Sequence, residues 1–166
     1  RTVLPNTLRE VVSAVKLKKT LEICYQSMSG EEPAWRTISP HAFAFDGMRW
    51  HARAYCHKSN AYKDFLLSRI QETGKIVEQQ APAEPDEVWN TYFTLTLKPH
   101  PKLTNIQAKA VAIDYDMTDM RLDMDIRLAL LYYYLRRLGL HQDCNGEEFP
   151  SREQHIVVAN IVETRE

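Results

Sequence analysis

The chain reads as an α+β protein in two parts: one helix leading into a small antiparallel barrel, then a compact β-α-β-α-β domain. Three observations predict this. Residues up to about 78 form one amphipathic helix and then short alternating segments, too closely linked for βαβ units. Gln79 to Asp86 is polar, carries Pro82 and Pro85, and has no apolar period, which marks it as a linker. Beyond it, strand and helix periods alternate over about 75 residues, the order of a split, ferredoxin-like domain.

The elements follow in order. Over Pro5–Lys19, Leu8, Val11, Val12, Val15 and Lys19 recur at steps of three and four, with Pro5 in the first turn and Asn6 or Thr7 as cap. Strands are expected at 20–28, 36–45, 48–57 and 63–70, with turns at Ser29-Gly30 and Asp46-Gly47. The domains are therefore drawn as 1–78, a linker at 79–87, and 88–166. In the last part Val88–Lys98 alternates as a strand, Thr104–Ile113 reads as a helix and Met117–Asp125 as a strand. Ile126–Leu138 reads as a helix ending at Gly139, and His155–Val162 as the closing strand. Leu128, Leu130, Leu131, Tyr132, Tyr134, Leu135 and Leu138 make that last helix apolar on more than one side, so one side is expected to meet a partner.

Bulk properties exclude several classes. Hydrophobic residues are 44% and charged residues 26%, ordinary for a soluble globular chain. No apolar run approaches a membrane span, and no secretory signal opens the sequence. Three cysteines without paired spacing argue against a disulfide framework and for a cytoplasmic protein. The first residue is Arg, which suggests a fragment. Net charge is −1 but uneven: residues 1–78 hold 12 Lys and Arg against 8 Asp and Glu, and residues 79–166 hold 9 against 14. An anion site is therefore expected in the first half.

The chemistry concentrates at residues 49–56. On a strand, Trp50, Ala52, Ala54 and Cys56 share one face, and Arg49, His51, Arg53 and Tyr55 the other. The first face suits a core, with Trp50 and Cys56 inside it. The second carries guanidiniums, an imidazole and a phenol, which suit an anion or a nucleic acid. Arg69 adds another guanidinium within the apolar run Phe65–Ile70. Each Arg could equally pair with a carboxylate at a sheet edge. Tyr25 reads as a core-edge residue and Ser27 as the start of a turn. His51 and His41 read either as surface histidines or as pocket residues.

Taken together, Ile23-x-Tyr25-x-Ser27, Arg36, Pro40-His41, Arg49-Trp50, Ala54-Tyr55-Cys56 and Phe65 to Arg69-Ile70 resemble the WYL-domain family of bacterial transcriptional regulators. The eponymous tripeptide is here Trp50-His51-Ala52. The resemblance implies an Sm-like, SH3-type barrel of about five strands and a C-terminal (WCX) dimerisation domain. It implies a ligand groove holding Tyr25, Ser27, His41, His51, Arg53, Tyr55 and Arg69, with His51 in place of a Tyr. The pattern looks most like repressors of phage-defence islands, such as those of BREX and CBASS systems. The implied ligand is a nucleic acid or nucleotide: single-stranded DNA, RNA or an oligonucleotide. Operator DNA would be read only through an N-terminal winged helix-turn-helix, which the single helix in residues 1–19 does not resemble. A homodimer is implied, and no membrane partner.

A second class stays open: an SH3-like barrel docking an acidic peptide on its Arg-rich strand. Enzymatic readings find no support, since Cys56 reads as a buried hydrophobe, Ser68 lacks a base, and no glycine-rich phosphate loop exists. No cofactor is expected. For metals, His141-x-x-Cys144 is one weak pair, and the run Asp114, Asp116, Asp119, Asp123, Asp125 lacks a calcium loop's glycine and reads as a solvated turn.

Overall fold

A computed structural model describes residues 3–140 and 154–164. It contains two compact units, Arg1–Pro85 and Asp86–Glu166.

The first unit opens with α1 (Pro5–Leu17), followed by β1 (Thr20–Tyr25), β2 (Ala34–Phe45), β3 (Trp50–Cys56), β4 (Ala61–Leu66), a 3-10 turn at Leu67–Arg69, and β5 (Ile70–Val77). Pro5 occupies the first turn as expected, but the N-cap position is Leu4, with no side-chain cap. Lys18, at φ 52°, closes the helix by donating its N–H to Ala14 and Val15. The buried stripe is Thr7, Val11 and Ala14, while Leu8 and Lys19 are exposed, so the buried face is rotated from the expected one. Four antiparallel ladders give the strand order β4-β3-β2-β1-β5. Among the described residues no ladder joins β4 to β5, so the five strands form an open sheet whose edges are linked through the 3-10 turn. The core comprises Val11, Ala14, Leu21, Ile23, Tyr25, Ile38, Ala52, Ala54, Cys56, Phe65, Leu67 and Ile70.

Two expectations fail here. Trp50 lies outside the core, 52% exposed, with its ring 5.1 Å from that of Phe45. It shares parity with Ala52, but the hairpin runs on past the point where the core ends. The strand drawn over 63–70 stops at Leu66, so Arg69 sits in the 3-10 turn and Ile70 begins a separate strand.

The second unit comprises α2 (Glu87–Asn90), β6 (Tyr92–Pro99), α3 (Asn105–Asp114), β7 (Leu122–Arg127), α4 (Leu128–Arg137) and β8 (Ile156–Glu163). β6 lies between β7 and β8 and is antiparallel to both. β7 and β8 are thus parallel to each other, joined through α4 with β6 inserted between them, which is the split βαβ expected. The strand drawn from Val88 begins at Tyr92, because the Asp86 carboxylate accepts from Trp89 N–H and caps a helical turn first. Thr104 and Gln107 form a capping box at the start of α3. The strand drawn from Met117 begins at Leu122: Asp116, Asp119 and Met120 have positive φ and turn the chain. Asp116 and Asp119 therefore lie in a turn, while Asp123 and Asp125 stand on β7. Ile126 and Arg127 also belong to β7, so α4 starts at Leu128, and Gly139 follows it at φ 69°. Leu95, Leu97, Val111, Ile126 and Ile156 form this unit's core. His141 and Cys144 lie outside the described residues.

Candidate ligand-binding face of the first unit

The β2–β3 hairpin and β4 position the central residues. Cross-strand register sets Ser39 opposite Tyr55, Ala42 opposite Arg53 and Ala44 opposite His51. On the other side, Arg53 faces Asp64, Tyr55 faces Tyr62 and His51 faces Leu66. A register shift between Pro40 and Ala42 makes His41 the extra residue of a bulge, which bends the strand and re-aims its side chain. His41 is exposed and stands edge-on to Tyr62, with ring centres 5.6 Å apart. Tyr62 lies 5.3 Å from Tyr55, and Tyr55 lies 5.1 Å from His57. Four rings, three from β2, β3 and β4 and His57 from the turn after β3, thus run together across one side of the sheet.

Arg53 is buried beside them. Its Nη1 donates to Asp64 Oδ1 at 3.2 Å, so a carboxylate shares this guanidinium. His51, also buried, is engaged by the hairpin turn, with its Nε2 2.9 Å from Asp46 Oδ2. The same carboxylate accepts from the Met48 and Arg49 N–H groups and from Arg49 Nε. Burial pushes the Asp46 carboxyl up, but the bonds from His51, Met48 and Arg49 outweigh it and hold the group well below the usual carboxylate range. The Asp-Gly turn that is legible in the sequence is therefore also an anionic clasp.

Ser39, Thr20 and His57 form a second polar chain. Ser39 Oγ lies 2.6 Å from Thr20 Oγ1 and 2.7 Å from His57 Nε2, joining β1, β2 and the turn that follows β3. Burial lowers the His57 pKa, because the charged imidazolium loses hydration there. At Cys56 burial raises the thiol pKa, but hydrogen bonds from Ser59 and Lys58 and the charge of Arg36 bring it below its ordinary value.

The remaining expected residues lie at the end of β1. Tyr25 is 7% exposed and belongs to the core: its ring meets Phe65 edge-on at 5.1 Å, and its hydroxyl accepts from Leu66 N–H at 3.2 Å. Its role is thus to tie β1 to β4. Ser27 lies past the end of β1, in a loop that Gln26 closes by donating to the carbonyls of Ser27 and Gly30. Arg69 is half-buried; its carbonyl accepts from Gln26 N–H, and among the described residues no hydrogen bond or ion pair engages its guanidinium.

The structure thus brings His41, Arg53 and Tyr55 onto one sheet face, sets His51 further along the same strand at the Asp46 turn, and places Ser27 and Arg69 at the β1 end. Sequence reasoning missed Asp64, Tyr62 and His57. Tyr62 and Asp64 alternate on β4 as Tyr55 and Arg53 do on β3, a signal that becomes readable only once the register is known.

Comparison with known proteins adds the lineage. Residues 6–73 match the family model "WYL domain", and residues 92–164 match "BrxR transcriptional regulator, C-terminal dimerization domain". The chain is 36% identical over 168 residues to the DNA-binding transcriptional repressor CapW of Stenotrophomonas maltophilia, covering 100% of this chain and 55% of that protein. It is 39% identical over 133 residues to CapW of Pseudomonas aeruginosa, covering 80% and 44%. To CapW of Escherichia coli (strain KTE188) it is 37% identical over 135 residues, covering 81% and 45%. The chain therefore spans about half the length of the curated relatives it matches. Among solved structures, the proteasome accessory factor B/C of Arthrobacter aurescens is 18% identical with a TM-score of 0.42, covering 95% of this chain and 25% of that one. With both units matched in order, the chain consists of a WYL domain followed by a C-terminal domain of the BrxR dimerization family.

Proposed function

We propose that this chain is the ligand-sensing and dimerising portion of a cytoplasmic transcriptional repressor that controls a phage-defence locus. A nucleic-acid-derived ligand, single-stranded DNA, RNA or an oligonucleotide, binds the first unit. Its occupancy changes how the rest of such a protein holds operator DNA. The second unit holds two copies together, as its family description implies.

The observation that carries this reading is the group of rings from three strands, His41, Tyr55 and Tyr62, set beside the buried Arg53. Ring faces accept stacked bases, and a guanidinium presents its donors in a fixed fork that suits phosphate. Arg69 supplies the second cation, and Ser27 and His51 supply polar contacts. The named relatives, DNA-binding transcriptional repressors, support the class.

The test is fluorescence anisotropy with a short labelled single-stranded oligonucleotide. Replacing Arg53 and Arg69 together by Ala is expected to weaken binding at least about tenfold. It should also lower the salt slope by about 0.7 for each lost phosphate contact. Unchanged affinity and slope would remove the site.

A further inference from the structure

The second unit leaves one helix apolar on two opposite sides. The inner side of α3 packs on the sheet through Val111, which is buried, with Ala108 and Ala112 half-buried beside it. The outer side carries Ile106 and Ile113, 83% and 80% exposed, with exposed Ala110 between them. At 100° per residue these three fall within about 60° of arc, one full helical stripe facing away from the core. A ten-residue helix with a complete capping box needs no outer isoleucines for its own stability. No other large apolar side chains in this unit are as exposed among the described residues.

We propose that this stripe is the apolar centre of the homodimer interface, with α3 of one copy packed antiparallel on α3 of a second copy across a two-fold axis near Ala110. The inference rests on the homodimer reading above and adds its location. Three observations select a second copy as occupant. The family match that describes a dimerization domain runs over residues 92–164 and so includes α3. The stripe is self-complementary: antiparallel packing sets Ile106 of one copy against Ile113 of the other, and the small Ala110 lets the backbones approach at the crossing. The ends also match in charge, since Asp114 of each copy then meets the other's α3 N-terminus, where the helix dipole favours a carboxylate. A helix of ten residues spans about 15 Å, so the contact is the core of a larger, polar-rimmed interface and not its whole extent.

The test uses the whole 166-residue chain. Light scattering after size exclusion gives the mass of the wild type and of I106E/I113E, with circular dichroism and a thermal melt as folding controls. In parallel, A110C is oxidised beside the wild type, which reports what the three native cysteines do alone. A dimeric wild type, a folded monomeric I106E/I113E, and an A110C cross-link absent from wild type are expected. A dimeric I106E/I113E, or A110C without a cross-link, overturns the α3 geometry while leaving the homodimer standing. Should I106E/I113E fail to fold, the A110C result decides alone. A monomeric wild type overturns the homodimer reading and this inference with it.

Discussion

Asp46 shows how much one short side chain organises. Its two oxygens accept from two backbone N–H groups and from the side chains of Arg49 and His51, while the carboxylate itself is 6% exposed. Asn at this position keeps the shape but removes the charge and one acceptor. D46N is expected to cost about 2–3 kcal/mol, measured by urea unfolding at neutral pH, because Arg49 loses its counter-ion and the buried His51 ring loses its carboxylate hydrogen-bond partner. A loss under about 0.5 kcal/mol would show the clasp to be incidental. Because this carboxyl is depressed when folded, its contribution is present above the ordinary 3.8 and is lost as pH falls toward the folded value. His57 has the opposite chemistry and the same slope. Its folded pKa lies below the ordinary 6.5, so as pH falls through 6.5 the unfolded chain takes up a proton that the folded chain refuses. Stability is expected to be level above 6.5 and to decline below it; H57Q should flatten that decline. At this scale the sequence misjudged Trp50 and left Tyr25 open between core and groove. Parity assigns a face of a strand, but only the extent of the core says whether that face is covered.

At the scale of elements, Gly74 in β5 has a steric reason that the sequence does not display. A Cβ there would stand 2.9 Å from Cζ3 of Trp35 and 2.9 Å from Cβ of Glu22. The indole of Trp35, 53% exposed, thus extends from β2 across β1 to the glycine of β5, so three strands of the sheet depend on one absent methyl group. G74A is expected to destabilise by about 1–3 kcal/mol, and by distinctly less in a W35A background, since one of the two clashes is then gone. Strictly additive costs in a double-mutant cycle would contradict this account. The hairpin turn at Asp46-Gly47 and the stop at Gly139 were both legible, because each is decided within four residues. The 3-10 turn at Leu67–Arg69 was not. Its apolar residues read as one strand, and only the need to pass from one sheet edge to the other breaks them.

For the whole molecule, the two units have separate cores, one built on Val11, Leu21, Ile23 and Ile38, the other on Leu95, Leu97 and Ile126. Chain connectivity favours independent folding, so residues 1–85 expressed alone are expected to unfold in one cooperative transition followed by circular dichroism. A broad, non-cooperative melt would show that the first core needs the second unit. The α+β class, the order of the elements apart from α2, β5 and the 3-10 turn before it, and the basic character of the first half were determined by the sequence alone, since periodicity, turn residues and charge are local quantities. The strand register, which sets Asp64 against Arg53 and Tyr62 against Tyr55, was decided by the tertiary structure, as was the outward stripe on α3. Those pairings join residues distant in the chain, and whether a side chain is buried, neutralised or left facing solvent depends on what the rest of the fold packs against it.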